Sequence, residues 1–311
     1  MALLNRKRVI LVKVESTYGT DPVPVVGTDA LLVRDVQITP LQADYADRSL
    51  IRPYFGSSDQ IPTTSQVALD IELELVGMKG LGVATPATGA LLRACGLGET
   101  IVASTSVTYD PVSTGFESCT AYFNLDGVLH KVTGARGSAS LSLKAQELPV
   151  IRVRLVGIFN AVTDTAAGTP VYTDFKTPVP CNSTNTTGLD IHGFTAGVLD
   201  TLDIDLANNI VFRSLVGGSD EVLLTDRAPS GSISIEATTV AAKAWFPTIQ
   251  NATTGVLSVA HGPAGNRVTV SATKLQLTNP QFQDSDGVAM LQMGAQFIPS
   301  SGNDEISIAF D

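Results

Sequence analysis

The side chains in this 311-residue chain that could do chemistry are few and scattered. His130, His192 and His261 lie far apart in sequence, and none sits beside a nucleophile in a recognisable pattern. A general acid or base needs a reacting group within hydrogen-bond reach and a third group to orient it. Each histidine therefore reads as a structural or exposed residue. A Gly-x-Ser-x-Gly elbow, a Gly-x4-Gly-Lys-Ser/Thr phosphate loop and a His-Glu-x-x-His zinc helix are all missing from the sequence. Asp284-Ser285-Asp286-Gly287 opens like a calcium loop, but Ala295 stands at position twelve, where a bidentate Glu belongs. The stretch reads as a turn between strands. Asp200, Asp203 and Asp205 fall within an alternating strand, which sends Asp203 and Asp205 to its wet face rather than into a cluster. Cys95, Cys119 and Cys181 are odd in number and widely spaced, as expected of free, buried thiols in a reducing compartment. Asn182, Asn185 and Asn251 head Asn-x-Ser/Thr triplets without a secretory signal, so they are read as accidents of composition. The expectation is a protein with no catalytic activity, no cofactor and no metal.

Charge narrows the partners. The formal net charge is -10. Residues 1–160 hold 14 Lys and Arg against 15 Asp and Glu, a net of -1. Residues 161–311 hold 6 against 15, a net of -9. Such a chain repels nucleic acid rather than gripping it. Aromatic residues are only 6% and are not interleaved with a basic patch, which argues against base stacking. No apolar run approaches the roughly 18 residues of a membrane helix.

The elements that would carry these residues are mostly strands. In VALDIELELV, Val67, Leu69, Ile71, Leu73 and Leu75 alternate with Asp70, Glu72 and Glu74. That is one dry face and one wet face. TLDIDLA repeats the pattern with Leu202, Ile204 and Leu206, as do SASLSL and the final ISIAF with Ile306, Ile308 and Phe310. One helix is expected from Pro86, capped by Thr85 and ended by Gly96, with Leu91, Leu92 and Cys95 as its apolar stripe. A weaker helix is expected from Val240 to about Phe246, interrupted by Pro247.

The two parts of the chain repeat one another. An Arg-Ser-Leu triplet at 48–50 returns at 213–215, each followed by a polar loop and a strand. Ile71-Glu72 then falls on Ile235-Glu236, Leu41 on Leu206, and Lys131-Val132-Thr133 on Arg267-Val268-Thr269. The order of matches is shared, although the second part lacks most of the insert between Gly77 and Cys119. The reading is an internal duplication: residues 1–160 with an N-terminal arm and a helix near 86–96, a linker at 161–174, and a shorter second domain at 175–311.

Residues 122–159 contain Asp126-Gly127, then Gly134-Ala135-Arg136-Gly137 leading into paired strands, then Gly157 before Phe159. Together with ESTYGTDPVP (15–24), PATGALLRACGLGE and the ending PSSGNDEISIAFD, this resembles the tail tube, or major tail, proteins of long-tailed, non-contractile bacteriophages. The resemblance implies two tandem β-sandwich or barrel-like domains with a small flanking helix and a long inter-strand loop. It also implies a structural subunit of the virion tail, assembled in the host cytoplasm. Three double-domain chains would close a pseudo-sixfold ring, and stacked rings would conduct DNA into the host. Partners would be further copies of the chain, a tape-measure protein and tail-end proteins, with DNA passing through without specific binding. An inner tube of a contractile tail or secretion machine, or a virion decoration or receptor-binding β module, is the alternative.

On that reading the loop after each triplet reaches the adjacent ring. Its contact residues would be Arg48, Ser49, Leu50, Arg52 and Tyr54 in the first copy and Arg213, Asp220 and Glu221 in the second. Glu72, Glu74, Asp203 and Asp205 would face the lumen, where carboxylates repel phosphate.

Overall fold

Alternating apolar and polar residues do build the molecule, and the computed structural model describes residues 2–311. The first stretch runs β1 (Arg8–Val14), β2 (Asp35–Gln42), β3 (Tyr45–Asp47), β4 (Gln60–Pro62), β5 (Gln66–Glu74), α1 (Pro86–Ala94), β6 (Leu97–Val102), β7 (Ser106–Pro111), β8 (Cys119–Leu125), β9 (Val128–Lys144) and β10 (Val150–Phe159). After the short β11 (Thr163–Asp164) come β12 (Thr186–Ile191), β13 (Leu199–Asp205), β14 (Asn208–Arg213), β15 (Glu221–Arg227), β16 (Ser230–Glu236), α2 (Trp245–Gln250), β17 (Thr254–His261), β18 (Val268–Ser285), β19 (Val288–Phe297) and β20 (Ser307–Phe310). The fold is mainly β, of sandwich type, with two short helices. No helix among the described residues is long and apolar enough to cross a membrane.

The neighbour order runs twice. In the first stretch it is β2, β5, β10, β9, β8, β1, every pair antiparallel. In the second it is β13, β16, β19, β18, β17, β12, again antiparallel throughout. One seam joins them: Ser140–Lys144 of β9 pairs with Thr201–Asp205 of β13. The insert also crosses over, since β7 pairs with β20, which pairs with β18. Both stretches thus share one continuous sheet.

Register decides which side chains meet. Leu73, Ile151, Leu141 and Ile204 stand side by side across four strands, all buried, in a core that draws on both stretches. Burying each such side chain contributes about 2 kcal/mol. Two tight turns use the residues expected of them. Asp126 and Gly127 have φ of 47° and 102°, and Asp286 and Gly287 have 53° and 84°. Both are left-handed pairs, the geometry that matches strand twist in a two-residue hairpin.

The helices follow their signals in part. Pro86 opens α1, Leu91, Leu92 and Cys95 are buried against the core, and Gly96 leaves in the left-handed region at φ 75°. The Thr85 hydroxyl caps nothing; it accepts a hydrogen bond from Lys79 N instead (2.9 Å). The second helix lies later than the pattern suggests. It begins at Trp245, and Pro247 sits inside its first turn rather than ending it. A proline there gives up an N–H that has no acceptor within the helix. The Trp245 indole, donating to Thr238 Oγ1 (3.0 Å), anchors this start.

Candidate assembly surfaces

Both Arg-Ser-Leu triplets fall at the same structural place. Arg48 follows the last residue of β3, and Arg213 is the last residue of β14. Each begins the loop of a two-stranded hairpin, β3–β4 or β14–β15, that leaves the main sheet and returns to it. Each hairpin starts three residues past the last ladder residue, Tyr45 after Gln42 and Asn208 after Asp205.

Their surroundings differ. The β3–β4 strands are exposed throughout, and Ile51 and Phe55 at the tip are fully open to solvent. Among the described residues, the side-chain hydrogen bonds of this arm are internal: Arg48 to Asp59 (2.7 Å), Gln60 to Asp47 (2.5 Å), and Thr64 to Asp44 (2.9 Å). Arg52 lies 6.0 Å from the Tyr54 ring, and Ser49 and Leu50 project into solvent.

The β14–β15 hairpin is pinned to the first stretch. Val222 and Leu224 are buried. Arg136 donates to the carbonyls of Val222 (2.7 Å), Phe116 (2.9 Å) and Glu117 (3.2 Å), and its guanidinium lies 4.7 Å from the Tyr18 ring centre. The Tyr18 hydroxyl accepts from Val222 N, and burial raises its pKa above the ordinary phenol value. Glu221 approaches Arg136 at 3.7 Å and pairs across the hairpin with Arg213, while Asp220 lies in the loop. At the hairpin base, the Asn208 amide donates to Cys95 O (2.7 Å) and Gly137 O (2.9 Å). Arg227 forms a buried ion pair with Glu305 and also donates to Val112 O.

This clamp explains two of the stretches that carry the family resemblance, because they touch. Glu15 is buried and accepts four hydrogen bonds: from Ser118 Oγ and Thr120 Oγ1 (both 2.6 Å), and from Gly19 N and Gly134 N (both 2.7 Å). The glycines flanking Arg136 are needed for closeness. A Cβ on Gly134, at φ 59°, would stand 2.8 Å from the Tyr18 ring, and one on Gly137 would stand 2.0 Å from Arg154 O. Spacing alone did not reveal this site. Its visible trace was a charged residue held between two glycines inside an apolar strand.

Glu72, Glu74, Asp203 and Asp205 do share one face. Glu72, Arg152, Ser140, Asp205 and Ser230 form one cross-strand row, and Glu74, Ser142, Asp203 and Ser232 fall on a second. Their pairing is uneven. Glu72 is held by Arg152 (2.9 Å) and Arg34 (3.5 Å), and Asp70 by Arg154 (3.7 Å). Asp203 accepts from the Ser142 hydroxyl (2.6 Å), and Asp205, among the described residues, only from Ala207 N (2.8 Å).

The other titratable residues stay apart. His130 lies in β9, His192 just past β12 and His261 in β17. Burial lowers the pKa of all three below the ordinary histidine value. His261 lies between Val179 O at Nε2 (3.1 Å) and Thr186 Oγ1 at Nδ1 (2.9 Å), the contacts of a neutral ring. The three cysteines are free and buried, and burial raises each thiol pKa. Among the described residues no group of three or more His, Cys, Asp or Glu could hold a metal ion.

The molecule is an antiparallel β protein with a repeated strand order, one projecting hairpin and one packed hairpin. A family model described as phage tail tube protein matches residues 5–310, and the chain belongs to that family. It is a structural component of a bacteriophage tail and comes from a family of tube subunits, not of enzymes. No curated protein matches the sequence.

Proposed function

We propose that three copies of this chain close a ring of six similar tube units, and that stacked rings form the conduit through which phage DNA is ejected into the host. The two units arose by internal duplication, roughly residues 1–160 and 175–311 joined by a linker at 161–174. The tail is non-contractile, assembly takes place in the host cytoplasm, and the tube forms around a tape-measure protein between tail-end proteins.

The observation that carries this reading is the seam between β9 and β13. It is a finished unit-to-unit joint, and the chain holds the two unpaired halves of another. Among the described residues β2, which occupies β13's place in the strand order, pairs only with β5 and leaves its other edge open. β18, in β9's place, has Gln281–Ser285 paired with β19 alone. Open edges invite strand pairing, and circular closure removes them.

The wet face suits a lumen. Its Arg152 and Arg154 are tied to carboxylates, and its second half is hydroxyls, amides and free acids, so passing phosphates find few fixed partners. The loops at 48–59 and 214–220 reach the adjacent ring, with Arg48, Arg52 and Arg213 meeting its carboxylates. Electron microscopy of the purified protein tests the reading. Rings or tubes with a central hole and threefold class averages are expected; sixfold averages lacking any threefold difference, or compact particles without a hole at every concentration, would overturn it.

A further inference from the structure

The in-chain seam also indicates what a neighbouring copy covers, an argument that rests on the ring proposed above. Ladders alone match positions between the two stretches. Ile71 pairs with Val153, and Val153 with Ala139. Ile235 pairs with Leu291, and Leu291 with Phe282. With Ile71 matched to Ile235, Ala139 and Phe282 hold the same place. Yet Ala139 is 1% exposed and Phe282 is 64% exposed.

The segment leaving β13 runs along the edge of β9 at Ala139. Leu206 N donates to Ala139 O (3.0 Å), and Asn208 N donates to Ser138 Oγ (3.1 Å) as β14 begins. Phe282 has no such cover. Beside it stands Phe246 of α2, also exposed, with ring centres 5.9 Å apart. Two adjacent exposed phenyl rings at an open sheet edge form an unfinished apolar surface. The matching cover in the next copy is the segment leaving β2, where β3–β4 begins at the Tyr45–Pro62 pair.

We propose that the base of the β3–β4 hairpin of an adjacent copy in the same ring docks across Phe246 and Phe282, with Tyr45 against these rings. The occupant is a second copy of this chain, and residues 48–59 extend beyond the dock. The two kinds of joint in the ring then differ in chemistry. Within the chain the arm is held by Arg136, three residues before Ala139. By ladder, Thr278 holds the place of Arg136, since Arg136 pairs with Val156, three past Val153, and Thr278 pairs with Gly294, three past Leu291; the joint between chains thus has no such arginine and closes on aromatic packing.

Thiol cross-linking of assembled protein tests this. The native cysteines are buried, so a Tyr45→Cys, Gln281→Cys chain treated with a short bis-thiol reagent reports only the new pair. Covalent dimers and trimers, with the ladder ending at three, are expected. Tubes by microscopy with only monomer bands would overturn the dock and leave the ring standing. A ladder running past three would mean that the arm joins different rings, which also overturns the dock. Failure of the unmodified chain to form rings or tubes would overturn both. In parallel, Phe282→Asp changes an exposed residue and should leave the monomer's melting unchanged while raising the concentration for ring formation about tenfold or more. An unchanged threshold would overturn the dock.

Discussion

The β14–β15 hairpin lies against the body of the protein with Val222 and Leu224 buried and its backbone carbonyl at Val222 bound by Arg136. The β3–β4 hairpin leaves the sheet at the matching position and carries Ile51, Tyr54 and Phe55 into solvent, stabilised only by bonds within itself. One plan thus yields one arm that is part of the folded core and one that is not. The physical difference is what each arm finds beneath it. The second arm meets β9 and β10 of its own chain and is reached by the residues just after α1 and just before β8. The first would need the equivalent surface of another copy. An element whose backbone and apolar groups are satisfied only on assembly contributes little to the stability of the single chain and much to that of the assembly.

Stability measurements can break that contrast. The largest loss is expected from Arg136→Ala, which strands the buried Val222 carbonyl and the half-buried Phe116 and Glu117 carbonyls and removes the stack on Tyr18. About 3 kcal/mol should be lost in chemical denaturation, with new protease cleavage within 208–227. A variant as stable as the parent would mean that the second arm is not clamped.

Asn208→Ala should cost less, about 1–2 kcal/mol, because it leaves the Cys95 and Gly137 carbonyls without that donor. Tyr45→Ala, at the matching place in the free arm, should shift the melting of the single chain hardly at all. Equal losses for the two would erase the distinction.

Acid should act on the body rather than on the free arm. Burial lowers the pKa of His130, His192 and His261, so the folded state favours their neutral rings. Their contribution is complete above the ordinary value of 6.5 and declines as pH falls below it, since the unfolded chain then takes up protons more readily. The depressed carboxylates Asp21 and Asp304 act in a separate window, below their ordinary value of 3.8. Denaturation midpoints between pH 7 and 5 should therefore decline, and His261→Gln should flatten the slope. A slope unchanged in that variant would remove His261 from the account.

The smallest effect on the single chain is expected from deleting residues 49–60. Unfolding free energy should change by less than about 0.5 kcal/mol, in keeping with an exposed loop, while tube stacking is lost. Normal tubes from the deletion would refute the role proposed for this arm. On the wet face, Asp203→Lys with Asp205→Lys should slow genome ejection more than Glu72→Lys with Glu74→Lys. Glu72 is already neutralised by two arginines, whereas the second pair has none. Equal effects, timed by DNA release from phage, would mean that local pairing does not set the field in the lumen.

Much of the architecture could be read from the chain because it depends on nearest neighbours. Strict alternation at Val67 to Leu75 and at Leu202 to Leu206 can bury one face only as a strand, and Asp-Gly pairs permit only a few tight turns. Pro86 and Gly96 bracket α1 because one lacks an N–H and the other lacks a Cβ. The later helix was harder. Pro247 reads locally as a stop, but Trp245, fixed by Thr238, moved the start so that the proline fell into the first turn.

By itself the sequence determined the mainly β class of fold, the tight Asp-Gly turns, the ends of α1 and the alternation that puts Glu72 with Glu74, and Asp203 with Asp205, on one face of their own strands. All of these follow from periodicities of two residues or from local backbone limits. Only the tertiary structure decided that Glu15 receives Gly134, that Arg136 holds an arm 86 residues away at Val222, that Glu72 is neutralised while Asp205 is not, and that Phe282 stands exposed where Ala139 is covered. Those outcomes depend on which distant strands become neighbours and in what register. That choice is made by the packing of the whole sheet, and no short stretch of chain contains it.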